Sequence, residues 1–284
     1  MSRTFRFAVP FVAVVAFAQP DLRHARELYQ STRYELAIQA LKEATDRDSL
    51  LLAGQSWFML GEFKNATEIL ERAVSANPSS SNLHLWLGKA YGRRAETSSP
   101  FLAPKYASKA RQHFEKAVEL DPTSVIAMND LFEYYMQAPG FLGGGKEKAE
   151  ALAQRIARLD RAEGHYATAR LAEDRKEFSA AENHLRHAWE AAPSQVGRLV
   201  DLARFLAKQG RHQESEAEFN RAQKLEPNNP KILFERASTY IQTKRNLVQA
   251  KLLLKQYLEA PLTPEDPSRQ EAQKLLKSAR LQTE

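Results

Sequence analysis

The run Gly140-Phe141-Leu142-Gly143-Gly144-Gly145-Lys146 fills the first seven places of a phosphate-binding P-loop. That chemistry needs a preceding strand, and it needs Ser or Thr after the lysine to reach magnesium. Here Leu131 to Met136 reads as helix, and Glu147 follows the lysine with a charge that repels phosphate. The loop is therefore expected to be a flexible glycine connection into a helix starting near Lys146, with nucleotide binding kept only as a rival reading. His184 and His187 stand three apart, a spacing that puts both rings on one helix face. A zinc site needs at least three protein ligands, and the chain holds no His-Glu-x-x-His motif and no cysteine. These two are expected to be surface histidines without a metal. No Gly-x-Ser-x-Gly elbow is present, and acids such as Glu173-Asp174 fall at predicted turns. The residues point to no catalysis and to no cofactor.

The elements that carry these side chains announce themselves by a period. Leu185, Ala188 and Pro193 recur as Phe219, Ala222 and Pro227, 34 residues later, and the same pattern stands upstream as Leu70, Ala73 and Pro78. Before it come Leu50, Gly54, Trp57, Gly61, Phe63 and Ala66; His84, Gly88 and Tyr91 open the next unit. Small residues belong where two helices must approach closely, and Gly61 suits the left-handed end of a first helix. Helical spacing without alternation makes the chain all-α.

This pattern resembles the tetratricopeptide repeat (TPR), a helix–turn–helix unit that stacks into a solenoid. The resemblance implies a right-handed TPR superhelix of about seven repeats, near residues 19–46, 47–80, 81–124, 125–161, 162–195, 196–229 and 230–262. In the first, Tyr34 to Ala44 is expected as the second helix. The third carries ten residues more than the period, near Ala95 to Tyr106, and the fourth five more, around Ala138 to Gly145. A C-terminal capping helix is expected over 266–282, with Asp266 as N-cap and Pro267 at the first helical position. The chain also looks like a group of exported bacterial TPR proteins in which a glycine-rich loop splits a middle repeat, here Ala138 to Lys146.

In TPR proteins the first helices line a concave groove that holds a peptide or partner helix. The repeat register places Gln55, Phe58, Met59, Lys89, Arg93, Asn129, Glu133, Tyr166, Arg170, Arg204, Lys208 and Phe234 on that face. Lys89, Arg93, Arg170, Arg204 and Lys208 are basic and only Glu133 is acidic, which would suit an acidic or carboxylate-ended peptide. The competing reading is that these are solvated charges. The paired Lys and Asn residues that clamp chaperone C-termini in some TPR domains do not recur in adjacent units.

Composition narrows the partners further. Apolar content of 43% and charged content of 27% are ordinary for a folded protein, and with glycine and proline modest no long disordered tract is expected. Met1 to Arg6 is a short basic segment, Phe7 to Ala18 is apolar, and Ala16-Phe17-Ala18 precedes Gln19 as a small-x-small cleavage site. A signal peptide over residues 1–18 and an exported, periplasmic or extracellular product are expected, with no transmembrane segment in the mature chain. Loss of Arg3 and Arg6 would lower the formal charge from +6 to +4, too weak a bias to argue for nucleic acid. The expected activity is that of a non-catalytic scaffold binding a protein or peptide. A cell-envelope assembly factor with wall or outer-membrane partners is the alternative.

Overall fold

The structure, a computed structural model, describes residues 21–281, so the expected signal segment lies outside the described residues. Among the described residues there are fifteen α-helices, one short 3-10 turn and no strand. The helices are α1 (Leu22–Gln30), α2 (Tyr34–Ala40), α3 (Arg47–Met59), α4 (Phe63–Ala76), α5 (Ser81–Glu96), α6 (Ala103–Leu120), α7 (Val125–Gln137) and α8 (Lys146–Leu159). They continue with α9 (Arg161–Asp174), α10 (Phe178–Ala191), α11 (Gly197–Lys208), α12 (His212–Leu225), α13 (Pro230–Gln242), α14 (Leu247–Glu259) and α15 (Arg269–Leu281). Each helix packs on the next, giving seven helical hairpins followed by α15. The architecture is a right-handed α-solenoid.

Why the hairpins turn so regularly is visible in their backbone. After α3, Glu62 N–H donates to the Trp57 carbonyl (3.0 Å) and Gly61 N–H to that of Phe58 (2.9 Å), with Gly61 at φ +76°. This pair of hydrogen bonds satisfies orphan carbonyls of a helix end in a Schellman turn. The same pair of bonds ends α1, α9, α11 and α13, where the left-handed residues are Thr32, Lys176, Gly210 and Lys244. Three of the five turns therefore put a side chain where glycine is favoured, at about 1 kcal/mol each.

In the two enlarged repeats α5 and α7 do not end in this turn; in the fourth the same pair of bonds instead closes the loop at Gly143. Much of the extra length in the third repeat goes into helix: α5 has 16 residues and α6 has 18, leaving only residues 97–102 as loop. Residues 95–96 and 103–106, expected as part of a loop, are helical because the flanking pattern simply continues. In the fourth repeat a 3-10 turn at Gly140–Leu142 precedes Gly143 at φ +84°. Tyr134 Oη donates to the Leu142 carbonyl (2.9 Å) and Gly145 N–H to that of Tyr135 (3.0 Å), which fixes the loop to α7.

The core runs along the stack as linked clusters. Ala66, Leu70, Ala73, Leu83, Ala90 and Ala110 are all fully buried. A Cβ on Gly54 would sit 2.5 Å from Leu70 Cγ, and one on Gly88 2.6 Å from Phe114 Cδ1, so both glycines are needed for helix approach. Burying each Leu or Phe contributes about 1.5–3 kcal/mol, and the alanines let those side chains reach the neighbouring repeat.

At the C-terminus α15 starts at Arg269, two residues after the expected first helical position, Pro267. Ser268 Oγ accepts from Glu271 N–H (3.2 Å), and the Glu271 carboxylate accepts from Ser268 N–H (3.1 Å). That reciprocal capping box outcompetes Asp266, whose carboxylate instead accepts from Thr263 N–H (2.8 Å) and Oγ1 (2.9 Å) in the preceding turn. Likewise α2 ends at Ala40, short of Ala44. Besides covering α13 and α14, the start of α15 reaches the other end of the solenoid. Arg269 donates to Thr32 Oγ1 (3.0 Å), and Arg93 lies 3.5 Å from the Glu271 carboxylate. The last helix thus bridges to the first three repeats.

Candidate functional site

The first helices of successive repeats form one continuous face, held by polar contacts from repeat to repeat. Lys89 on α5 pairs with Asp130 on α7 (3.1 Å). Asn129 on α7 donates to Glu163 on α9 (3.0 Å), and Arg170 on α9 donates to Glu133 on α7 (3.0 Å). Arg198 on α11 also binds Glu163, and lies 3.3 Å from Asp201. Lys208 on α11 donates to Glu173 on α9 (2.9 Å), and Arg204 pairs with Glu235 on α13 (3.4 Å). The repeat register found Lys89, Arg170, Arg204 and Lys208 on this face and missed Arg198 and the acids Asp130, Glu163, Glu173, Asp201 and Glu235. Part of the signal lay near the period: Glu163–Arg198 and Glu173–Lys208 are each 35 apart, one more than the 34-residue repeat.

The electrostatics follow from burial against pairing. Burial pushes the Asp201 carboxyl up, and the nearby Arg198 and Arg204 only partly oppose it. Burial likewise raises Asp130 against the pull of Lys89. For Arg170, burial works against its charge, but Glu133 and Tyr166 outweigh that and hold it above its ordinary value. A cavity of about 180 Å³ opens between Tyr166, Arg170, Asp201, Arg204 and Lys208. A wider hollow of about 830 Å³ lies between the starts of α11 and α13 and the 263–266 segment, with Arg198, Asp201, Arg204 and Glu235 in its wall.

Toward the N-terminal end the expected face is covered. Phe58, Met59 and Arg93 share a cavity wall with Pro267, Gln270 and Glu271, so the chain's own last helix sits over them. Phe58 also stacks edge-on with Phe63 (5.4 Å) and Trp86 (5.6 Å). Gln55 is half-buried on α3. Phe234 does not line the open face: it is 8% exposed and packs on Tyr257, 5.2 Å between ring centres. A register step of one residue is about 100° around a helix, enough to turn a side chain from groove to core.

Family models described as tetratricopeptide repeat match residues 22–81 and 172–233. The chain is a tetratricopeptide-repeat protein. It is similar to a thermophilic TPR protein of Thermus thermophilus, at 24% identity over 65% of this chain and 96% of that one, with a TM-score of 0.54. It is also similar to a TPR protein of Parabacteroides merdae, at 13% identity over 91% and 97% of the two chains, with a TM-score of 0.61. At these identities the likeness is one of fold. No curated protein matches.

The TPR stacking explains what becomes of the other chemical candidates. The glycine loop of the fourth TPR runs between two helices, α7 and α8, and not out of a strand, so no phosphate cradle forms. Lys146 pairs with Asp174 of the next TPR, and Lys148 Nζ donates to the Gly143 carbonyl (3.0 Å). His184 and His187 are joined by a residue the spacing did not include: His165 on α9, whose Nδ1 lies 3.2 Å from His184 Nδ1. In the third TPR His84 Nδ1 lies 2.9 Å from His113 Nδ1. Counted from the small residue of each first helix (Gly88 and Ala169) and the apolar residue of each second (Phe114 and Leu185), the two pairs occupy the same TPR positions. That coincidence was the legible signal for His165. Among the described residues, no helix is long and apolar enough to cross a membrane.

Proposed function

We propose that this TPR protein is a non-catalytic protein-interaction scaffold that works outside the cytosol and holds an acidic or carboxylate-ended segment of a partner protein. The observation that carries the reading is the hollow beside α11 and α13, walled by first helices of successive repeats and bearing Arg198 and Arg204. Extended peptides bind such concave faces through spaced polar anchors. A guanidinium has five N–H donors, and Arg204 engages Glu235 at 3.4 Å, which leaves donors for an incoming carboxylate. Lys208, held by Glu173, would exchange one carboxylate for another. Since α15 covers Phe58, Met59 and Arg93, the binding stretch is assigned to α9–α13, with Tyr166 and Arg170 beside it.

The test is titration of the chain with a panel of fluorescent peptides ending in acidic or in amidated residues. Arg204→Glu with Lys208→Glu should weaken the acidic peptides at least about tenfold, a loss of about 1.4 kcal/mol. Equal affinity for acidic and amidated peptides, or no effect of the charge reversals, would discard the groove assignment. Export is tested separately by sequencing the N-terminus of the protein from its native host, expected to start at Gln19.

A further inference from the structure

We propose that His165, His184 and His187 form a binding site for a divalent first-row transition ion, zinc or copper, with Glu190 beside its open position. One ring nitrogen from each histidine can be chosen so that all three lie within 4.8 Å of one another. A tetrahedral zinc with Zn–N bonds of about 2.0–2.1 Å needs nitrogens about 3.3 Å apart. His165 and His184 already meet that spacing at 3.2 Å. Only the exposed His187 has to swing inward, and it can, since it lies at the surface. The ligands come from α9 and α10, the two helices of one tight hairpin, so the scaffold is rigid before the ion arrives.

The donor chemistry selects the ion. Neutral imidazoles suit zinc, copper and nickel, whereas magnesium and calcium want carboxylates, carbonyls and water. Burial, then the mutual proximity of the rings, disfavours the protonated forms of His165 and His184. The Glu190 carboxylate stands 3.9 Å from His187 Nε2, close enough to orient that ring or to enter the fourth coordination position. The cluster involves the second helix α10, so it does not compete with a peptide held by α9–α13 on the inner face.

The experiment is calorimetric titration of the full, tag-free chain with Zn²⁺ and, separately, Cu²⁺, alongside Co²⁺ absorption as a report of coordination geometry. One equivalent should bind, with intense visible bands for the cobalt form. His165→Gln and His187→Gln should each weaken the ion more than about 100-fold, because loss of an outer-sphere partner alone costs 10–100-fold. Glu190→Gln should weaken it about tenfold, and His24→Gln, at an exposed site far along the sequence, should leave it unchanged. Circular dichroism in chelator confirms that each variant is folded; the surface position of His187 makes that variant the decisive one. Failure of the wild type to bind, or stoichiometric binding that survives His165→Gln with His187→Gln, would overturn the site.

Discussion

The third and fifth repeats carry nearly the same polar quartet and put it to different uses. His84, His113, Lys116 and Glu119 in the third correspond to His165, His184, His187 and Glu190 in the fifth. In each, the paired rings face one another through Nδ1. In the third repeat His84 is 7% exposed and its Nε2 donates to the Pro78 carbonyl (3.0 Å). His113 stacks on Tyr91 with ring planes 4° apart, and Tyr91 in turn engages Glu71 and Lys109. Lys116 closes that quartet by pairing with Glu119 (2.7 Å). The fifth repeat has no such backbone anchor on His165 among the described residues, and a third imidazole stands where the ammonium would be. Burial, the stack on Tyr91 and the exchange of Lys116 for His187 together separate a buried structural pair from an open ligand set.

The comparison can be broken most sharply by Lys116→His, which rebuilds the missing ligand. If the third imidazole decides, the variant should bind two equivalents of zinc where the wild type binds one, read by calorimetry. A count that stays at one would show that burial of the His84 pair, and not Lys116, is what withholds it. The next largest effect is on stability. His113→Ala leaves His84 Nδ1 buried without a partner and hollows the space beside Tyr91, and should cost about 2–4 kcal/mol in urea denaturation. His184→Ala, at a half-buried site, should cost about 1 kcal/mol or less. Equal losses would mean that the two pairs are packed alike.

Acid should also tell the repeats apart. Burial foremost, then His84 and Lys109 against a smaller opposing pull from Glu71, pushes His113 down to about 4. A base with a lowered folded pKa takes up its proton more readily when unfolded. Its neutral form therefore supports the fold fully above the ordinary histidine value of about 6.5, and that support is lost as pH falls from there toward 4. With solvent screening, about 1–2 kcal/mol should disappear across this window, and His113→Gln should flatten the melting-temperature profile. The smallest effect concerns the turns. Lys176→Gly relieves the left-handed strain at φ +63° that its equivalent Gly210 never carries, and should raise stability by about 0.5 kcal/mol after the unfolded chain's gain in freedom. A lower melting temperature would show that the Lys176 side chain contributes more than its backbone costs.

Legibility in the sequence followed how local each signal was. Gly61 could be read as a helix end because a Schellman turn depends on a few consecutive residues, and Ala66 and Leu70 as contacts because helical spacing fixes their face. Thr32, Lys176 and Lys244 occupy the equivalent turn with side chains that give no such cue, since the turn is imposed by the packing of the hairpin on its neighbours. The basic residues of the inner face were legible except Arg198, and of their acidic partners only Glu133 was. An ion pair across repeats depends on superhelical offset and on any enlarged loop between, which place the partner 31 to 41 positions along the chain, as Arg204–Glu235, Glu133–Arg170 and Lys89–Asp130 show.

The sequence by itself determined the period, the all-helical class and the small residues that let helices approach, because these rest on steric rules acting over one turn or one hairpin. Only the tertiary structure decided that α15 returns to the first repeats through Arg269 and Glu271, that Phe234 is core, and that His165 completes a cluster with His184 and His187. Those placements depend on the accumulated rotation of each repeat on the last, a sum of many small packing angles that no single stretch of residues encodes.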